Sequence, residues 1–402
     1  MDPKGQKKRA LTGMRVLDLT RAFAGPYCSM ILADLGAEVI KIEPPGSEGD
    51  TTLGAGPRPG GVHYYAIAND RNKKSLTLNL RKEEGKEIFY ELVTKSDVVL
   101  DNFRPGVMEK IGVDYETVRK KNPGIISCSI TGFSPTGPYQ DRPAYDIIAQ
   151  AMGGAMSLTG EPGKPPVRIG LSIGDLAGGL FAAHGVMAAY IYRMRTGKGQ
   201  KISISMLNCQ IGLLSYHAVA YFVTGKIPGP LGSGHPTITP HQAFKAKDEY
   251  FILSAPEDKF WKSVCQVLGD RDLEKDPRFL TAEGRLQNKD QMISILEKHF
   301  LSKKAAEWVE ALVAKGVPAA PLNTLDQALS DPDILGQNMV VIQDHPTAGK
   351  QKITGNPIKM SETPGEIFTP TPLVGEHTGE LLNSILGYRR EKIEVLKKER
   401  IV

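Results

Sequence analysis

The sequence predicts an α/β fold with a Rossmann-like large domain and a smaller α+β domain after it. The chain has 402 residues, which is longer than a domain built around a single hydrophobic core usually is. Apolar strands alternate with helices over the first half, which is typical of a doubly wound parallel sheet. The segment TGKIPGPLGSGHPTITP then interrupts the alternation, and its density of Gly and Pro indicates a domain boundary or a mobile loop.

The elements of the large domain follow in chain order. MRVLDLT, RAFAGPYCSMILADLG and AEVIKIE predict strand, helix and strand, with Pro26 in the first helical turn and Gly36 at the helix end. Further strands are expected at SLTLNL, DVVLDNF, GIISCSITGF and GQKISISML, and further helices at KEEGKEIFYELVTKS, YETVRKKNP and YDIIAQAMGGAM. A charge-poor run from Asp175 to Met194 predicts a buried helix, and another apolar helix is expected near Leu207 to Val223.

We assign residues 1–225 to the large domain, 226–330 to the small domain and 331–402 to a C-terminal segment. The small domain has a predicted hairpin, AFKAKDEYFILSA, and a helix, PEDKFWKSVCQVLG. Two more helices are expected near Lys289–Phe300 and Lys304–Lys315. In the C-terminal segment, YRREKIEVLKKER predicts a charged helix.

Composition excludes several classes of protein. The net charge is +5, and the basic residues are scattered, so we expect no nucleic-acid partner, although an anionic small molecule would suit the charge. The opening MDPKGQKKRALTG lacks the apolar core of a signal peptide, and no apolar run is long enough for a membrane span. Four distant cysteines without metal-ligand spacing predict reduced thiols, no metal site and a cytoplasmic protein: Cys28, Cys128, Cys209 and Cys265.

Asp175 is a lone carboxylate among Gly, Ala and Leu, within RIGLSIGDLAGGLFAAHGVMAAY. An isolated charge in apolar surroundings is costly to desolvate, so it needs a role. It would serve as a helix N-cap, or as a nucleophile whose ionised form a helix N-terminus stabilises by about 0.3–1 kcal/mol. We expect Gly174, Gly178 and Gly179 to leave open space for a bulky substrate. A second carboxylate, Asp146, is explained as the N-cap of the preceding helix.

Two loops are candidates for ligand binding. TRAFAGP, at the first strand–helix turn, lacks GxGxxG, and Gly25-Pro26 removes one amide, which counts against an NAD-dependent dehydrogenase. DNFRPGVMEKIG follows a strand end, where open α/β sheets bind ligands, so Asn102, Arg104 and Lys110 are candidates to meet a phosphate. A plain solvated surface is the alternative for these residues.

Seven segments, taken in order and spacing, resemble the class III CoA-transferases over nearly the whole chain. They are RVLDLTRAFAGPYCSMILADLGAEVIKIEPPGSEGD, NDRNKKSLTLNL, DNFRPGVMEKIG, ITGFSPTGPYQDRPAYDIIAQAMGG, RIGLSIGDLAGGLFAAHG, RTGKGQKISISM and GEHTGELL. The resemblance implies a CoA-transferase that moves CoA from an acyl-CoA donor to a free carboxylic acid. Coenzyme A is then a substrate, with no permanently bound cofactor.

The resemblance also implies the site residues. Asp175 would be the catalytic nucleophile, passing through a mixed anhydride and an aspartyl-CoA thioester. Gly232 and Gly234 would supply oxyanion amides or a lid, with a plain linker as the alternative. The implied CoA-binding residues are Phe23, Ala24, Pro44, Leu78, Asn102, Phe103, Arg104, Lys110, Arg142 and Tyr145.

Two further features follow from the resemblance. The family fold is an interlocked homodimer in which residues 331–402 return to the large domain. Formyl-CoA transferase, a member of the family, has Gln and Arg at the positions of Phe23 and Pro44. This departure counts against formate or oxalate as substrate.

The main alternative is an α-methylacyl-CoA racemase, a relative on the same fold, or another acyl-CoA isomerase. A racemase needs an acid/base pair, and its histidine stands where this chain has Tyr145. A tyrosine of pKa ~10 is a poor base at neutral pH, which favours the transferase. A non-catalytic acyl-CoA-binding protein is the third hypothesis, and Asp175 in a glycine-rich setting argues against it.

Overall fold

The computed structural model describes residues 9–47, Gly49 and 54–402. Contacts divide the chain into two compact units. The first unit runs to Met156, includes Arg168–Lys226 and resumes at Pro332–Val402; the second consists of Ser157–Val167 and Ile227–Asp331. Most of the N-terminal stretch in which we expect no signal peptide lies outside the described residues. Among the helices of the described ranges, none has both the length and the apolar character that crossing a bilayer requires.

A six-stranded sheet forms the centre of the first unit, and all of its strand pairs are parallel. Its strands are β1 (Arg15–Asp18), β2 (Glu38–Glu43), β3 (Lys73–Thr77), β4 (Val98–Asp101), β5 (Ile126–Thr131) and β6 (Lys201–Ser205). The order β3-β2-β1-β4-β5-β6 confirms the predicted parallel α/β sheet. The order reverses between β1 and β4, where the carboxyl ends of the strands leave a crevice.

Ten α-helices lie among the described residues of the same part of the chain. They are α1 (Ala24–Asp34), α2 (Tyr64–Asn69), α3 (Glu83–Thr94), α4 (Val107–Ile111), α5 (Tyr115–Lys121), α6 (Asp146–Met152), α7 (Ala155–Leu158), α8 (Ile173–Thr196), α9 (Met206–Leu214) and α10 (Tyr216–Thr224). The single helix predicted near Leu207 to Val223 is two helices. Ser215, at φ 45°, lies in the left-handed region, which a continuous helix does not visit.

Hydrophobic cores cover both faces of the sheet, because alternate strand residues point to opposite sides. Leu17 and Ile40 face a core that includes α3 and the last helices of the chain. Val16 and Val39 face a second core built with α1 and α8. Helix α8 packs against α1 along much of its length, so its N-terminus is held near the first strand–helix turn.

The second unit has its own core beneath an antiparallel sheet of β7 (His241–Lys245), β8 (Tyr250–Ser254) and β9 (Ala319–Pro321). The hairpin predicted around AFKAKDEYFILSA forms as β7 and β8, in register from His241↔Ser254 to Lys245↔Tyr250. Its helices are α11 (Asp258–Leu268), α12 (Arg271–Lys275), α13 (Ala282–Gln287), α14 (Lys289–Phe300), α15 (Ala305–Ala314) and α16 (Leu325–Ser330).

The last part of the chain belongs to the first unit. Buried Leu381, Ile393 and Val402 lie in the core on the α3 face of the sheet. The amide of Asn79 donates to the carbonyl of Ile401 at 2.8 Å, which fixes the chain end beside the segment after β3. The elements are α17 (Pro332–Gly336), β10 (Val340–His345), β11 (Gly349–Thr354), α18 (Thr378–Leu386) and α19 (Arg390–Lys398).

Candidate active site

The turn between β1 and α1 is fixed by a buried carboxylate. Asp18 Oδ1 accepts the amide of Thr20 at 2.9 Å and its hydroxyl at 2.5 Å. Asp18 Oδ2 accepts the hydroxyl of Ser29 at 2.6 Å and lies 3.2 Å from Lys73 Nζ. Ala22 in this turn has φ 61°, an unusual left-handed conformation for a residue with a side chain. The turn thereby places Phe23 and Ala24 at the start of α1.

The loop after β4 is joined to this turn by a reciprocal pair of hydrogen bonds. Asn102 Oδ1 accepts the amide of Arg21 at 2.8 Å, and Asn102 Nδ2 donates to the carbonyl of Arg21 at 2.6 Å. Asn102 therefore holds the carboxyl ends of β1 and β4 together. This is where the strand order reverses, the position at which α/β sheets bind ligands.

A cavity of about 290 Å³ opens at these strand ends. Asp175 lines it. Seven of the ten predicted CoA-binding residues also line this cavity, namely Phe23, Ala24, Asn102, Phe103, Arg104, Arg142 and Tyr145. We call this the nucleophile cavity.

A second cavity, of about 540 Å³, contains Pro44 and Leu78 and shares Arg21 and Phe103 with the nucleophile cavity. We call it the outer cavity. Lys110 is exposed on the short helix α4 and lines neither cavity. The structure thus brings nine of the ten predicted residues to two adjoining cavities and leaves Lys110 outside them.

Asp175 lies at the third position of α8, and Ser172 is the N-cap residue. The interpretation of Asp175 as a helix cap is therefore wrong. No hydrogen bond or ion pair from the described residues reaches its carboxylate, which is half-buried. Burial raises the pKa of Asp175 to about 7, and the negative charge of Asp146 adds to the shift. The helix N-terminus, which favours the charged form, is outweighed.

Asp146 connects α6 to the start of α8. It is the first residue of α6 and not its N-cap, so the capping interpretation is wrong here as well. Asp146 Oδ1 accepts the amide of Gly174 at 2.7 Å, and Oδ2 accepts Gln150 Nε2 at 2.7 Å. Gln150 Oε1 in turn accepts the amide of Ile169 at 2.9 Å. This buried network positions the residue next to Asp175.

The glycines around Asp175 serve helix packing. A Cβ on Gly179 would lie 2.7 Å from the carbonyl oxygen of Ala24, and one on Gly174 would lie 3.0 Å from Asp146 Oδ1. A Cβ on Gly178 would meet Met206 at 3.4 Å. The expectation that these glycines leave open space for substrate is therefore wrong, because other parts of the protein already occupy it.

Gly232 and Gly234 belong to the second unit, and both of their amides are engaged there. The amide of Gly232 donates to the carbonyl of Gly160 at 2.9 Å, and that of Gly234 to the carbonyl of Leu231 at 2.9 Å. For either amide to donate to an oxyanion, its present hydrogen bond to a carbonyl would first have to break. The lid hypothesis for these glycines stays a prediction.

Sequence reasoning missed two residues near Asp175. The ring of Tyr65, on the unpredicted helix α2, lies 5.4 Å from the ring of Phe23. A hydrogen bond with Tyr64 raises the pKa of the Tyr65 hydroxyl, with smaller contributions from burial and Asp175, while Arg168 opposes the shift. Arg168 Nη1 lies 3.9 Å from Asp146 Oδ2. The sequence alone could have indicated Arg168, because it is a charged residue seven positions before Asp175 in an otherwise apolar stretch.

Among residues 9–47, 49 and 54–402, no three His, Cys, Asp or Glu side chains are grouped as metal ligands would be. The side chains that line the nucleophile cavity include one carboxylate, three arginines and aromatic rings.

Comparison with known proteins identifies the family. The family model described as CoA-transferase family III matches residues 11–378. The chain is 38% identical to succinyl-CoA:glutarate CoA-transferase of Mus musculus, over 96% of this chain and 89% of that protein. It is 40% identical to acetyl-CoA:oxalate CoA-transferase of Acetobacter aceti, over 89% of this chain and 90% of that protein.

A solved structure gives the same result. The crystal structure of a CAIB/BAIF family protein from Brucella suis superposes with a TM-score of 0.84 at 37% identity, covering 94% of this chain and all of that chain. With a family match over nearly its whole length and relatives named for CoA transfer, the chain belongs to CoA-transferase family III and is a CoA-transferase.

Proposed function

We propose that this enzyme moves CoA from an acyl-CoA donor to a free carboxylic acid by covalent catalysis at Asp175. The observation that carries the proposal is a half-buried carboxylate without a hydrogen-bond partner among the described residues, facing a cavity lined by Arg104 and Arg142. A poorly solvated carboxylate of raised pKa is a stronger nucleophile than an exposed one.

The first half-reaction transfers CoA to the enzyme. A carboxylate oxygen of Asp175 attacks the thioester carbonyl carbon, the C–S bond breaks, and CoA leaves as its thiolate. The product is a mixed anhydride between Asp175 and the acyl group. The thiolate then attacks the aspartyl carbonyl carbon and expels the donor acid as a carboxylate, which leaves an aspartyl-CoA thioester.

The second half-reaction reverses these steps with a new acid. The acceptor carboxylate attacks the aspartyl thioester and releases the thiolate, forming a second mixed anhydride. The thiolate attacks the acceptor's carbonyl carbon, so the new acyl-CoA departs and Asp175 returns to its carboxylate form. No proton is gained or lost overall, and exclusion of water protects the energy-rich intermediates.

The two cavities suit the two ends of an acyl-CoA. The nucleophile cavity would hold the thioester beside Asp175, and the outer cavity, with Pro44 and Leu78, would hold the adenosine end. Phe103 and Arg21 line both, so the pantetheine arm would pass between them. Arginine pairs well with the phosphates that CoA carries.

The acceptor is proposed to be a dicarboxylic acid. Glutarate and oxalate appear in the names of the two relatives described above, and the first relative's donor is succinyl-CoA. The racemase alternative is not favoured, because these relatives are named for CoA transfer and Tyr145 is largely exposed.

Chemical trapping tests the proposal. Hydroxylamine added to the protein with succinyl-CoA should convert Asp175 to a hydroxamate, since an activated aspartyl carbonyl reacts with amines and a free carboxylate does not. Peptide mass spectrometry locates the mark, and the Asp146 peptide of the same digest serves as control. A mark that is absent or on another residue, or near wild-type transfer by Asp175→Ala, would refute the mechanism.

A further inference from the structure

Arg168 is a cation near the nucleophile that the CoA site does not use. The cations that line the nucleophile cavity are Arg21, Arg104 and Arg142, at the strand ends and in the loop before α6. Two of them already stack on aromatic rings, Arg21 at 5.5 Å from Phe103 and Arg142 at 4.5 Å from Tyr139. Arg168 is not among the lining residues of either cavity assigned to CoA.

The Arg168 guanidinium is only loosely held. Its Nη1 lies 3.9 Å from Asp146 Oδ2, and its Nη2 donates to the carbonyl of Gly170 at 3.5 Å. Both separations exceed the 2.7–2.9 Å or so of a charge-assisted hydrogen bond. Its side chain is 49% exposed. Most of the donors of the guanidinium are therefore available to a ligand.

The backbone around Arg168 is nevertheless fixed relative to Asp175. The amide of Ile169 donates to Gln150, and the amide of Gly174 donates to Asp146, so both ends of the segment are anchored on α6. The charges of Arg168 and Asp175 both act on the hydroxyl of Tyr65, which places the three groups in one neighbourhood.

Electrostatics explain why a cation is needed there. An incoming acid is an anion, and although Asp175 is then bound as its CoA thioester, the acid must still approach the negative charge of the buried Asp146. A second carboxylate on that acid increases the repulsion unless a cation meets it. Among the side chains that bind Asp146 or act on Tyr65, Arg168 is the cation that the described residues provide.

We propose that Arg168 binds the remote carboxylate of a dicarboxylic acceptor while the other carboxylate of that acid reacts at Asp175. The inference rests on the proposed function and adds the residue that selects the acid. Arginine suits the role because its planar fork pairs with both oxygens of a carboxylate. A monocarboxylic acid of equal length would gain nothing from Arg168.

The test compares glutarate with valerate, which has the same chain length but one carboxylate. With succinyl-CoA as the donor throughout, kcat/KM for each acid is measured in the unmodified enzyme, Arg168→Gln, Arg168→Lys and the control Arg104→Gln. We expect Arg168→Gln to lower the glutarate-to-valerate ratio by about 10- to 100-fold, the range for a lost charge-assisted contact. Arg168→Lys should restore part of the ratio, and Arg104→Gln should leave it unchanged.

Two results would overturn the inference: no preference for glutarate over valerate in the unmodified enzyme, or an unchanged glutarate-to-valerate ratio in Arg168→Gln because both acids lose equally. The last would show that Arg168 only supports Asp146 and the start of α8. Hydroxylamine trapping distinguishes failure of the Arg168 inference from failure of the proposed function. If Asp175 is converted to a hydroxamate in Arg168→Gln, the covalent mechanism stands whatever the glutarate-to-valerate ratio is. If no hydroxamate forms at Asp175 in the unmodified enzyme, the proposed function itself is refuted.

Discussion

Asp175 carries a charge that its surroundings disfavour, and this has a measurable cost. Its pKa is raised to about 7 in the folded protein, chiefly by burial, against about 3.9 in an unfolded chain. Folding therefore favours the protonated form, and stability falls as the pH rises from about 4 to about 7. Above about pH 7 the carboxylate is ionised in the folded protein too, and its destabilising effect reaches its maximum.

Asp175→Asn should consequently stabilise the protein more at pH 8 than at pH 5. We expect a gain of about 1–2 kcal/mol at pH 8, reduced from the full shift because the group is half solvated. Urea unfolding at both pH values measures it, with the exposed Asp141→Asn as control. A gain that is equal at both pH values would contradict the assigned environment.

The same ionisation should make kcat/KM for acyl-CoA rise with pH through about 7.

Arg104 should be needed for CoA binding. It is exposed at the rim of the nucleophile cavity, where it would pair with phosphate oxygens. Arg104→Gln should raise the KM for acyl-CoA about 10-fold with a smaller effect on kcat, because binding and not chemistry loses the contact. Lys110→Gln is the comparison, since Lys110 lines neither cavity. If Lys110→Gln raised the KM for acyl-CoA more than Arg104→Gln does, the phosphate site would have to be assigned to α4 instead.

At the scale of elements, the contact between α1 and α8 positions the nucleophile. Gly179 allows the two helices to approach, since a Cβ there would lie 2.7 Å from the carbonyl of Ala24 and 2.9 Å from the ring of Tyr27. Gly185, six residues later on α8, would meet only the Ile202 side chain, at 3.4 Å. The two glycines therefore have opposite consequences for substitution.

Gly179→Ala should destabilise the protein by about 1–3 kcal/mol, because backbone atoms must shift to admit the methyl group. Gly185→Ala, in the same helix, should be neutral or stabilise by up to about 1 kcal/mol through helix propensity. Thermal unfolding of both variants measures the difference. Equal Tm values for the pair would show that α8 and α1 are not closely packed at Gly179.

Sequence reasoning succeeded where a pattern is local. Strand–helix alternation identified all six strands of the parallel sheet, because strands buried on both faces read as short apolar runs such as VVLD. It failed at α9 and α10, where Ser215 breaks a run that remains apolar on both sides. It also missed β9, a three-residue strand containing Pro321, whose pairing with β8 depends on distant chain.

The site shows the same division. Motif order marked Asp175 and the strand-end loops as candidates, and nine of the ten candidate CoA residues line two adjoining cavities. The purpose of the glycines was misjudged, because close contacts such as Gly179 with Ala24 join residues far apart in sequence. Tyr65 and the role of Asp146 in holding Gly174 were likewise invisible, since both depend on tertiary neighbours.

At the scale of the whole molecule, α8, α9 and α10 leave many large apolar side chains exposed. Phe222 is 77% exposed and Val223 78%. Others on these helices are Ile191, Met194, Ile211, Leu213, Tyr216 and Val219. Many exposed large apolar side chains on three successive helices are typical of an interaction site. We propose that a second copy of the chain covers it, in the interlocked homodimer that the family resemblance implies.

Sedimentation should therefore show a dimer, or a larger assembly, at every dilution until denaturant unfolds the chain. Obligate interfaces usually exceed about 2,000 Å², and interlocked chains cannot separate without opening, so dissociation and unfolding coincide. A folded and active monomer at nanomolar concentration would exclude the interlocked arrangement. The assignment to CoA transfer would be unaffected by that result.

The return of the C-terminal segment to the first unit has a consequence for how the protein is made. Leu381, Leu396 and Val402 complete the core on the α3 face of the sheet, although the strands of that sheet end with Ser205. A ribosome delivers the whole of the second unit before these residues emerge. The second unit can thus finish folding during translation, whereas the first unit waits for the residues that follow Pro332, because until then α3 covers one face of its sheet only in part.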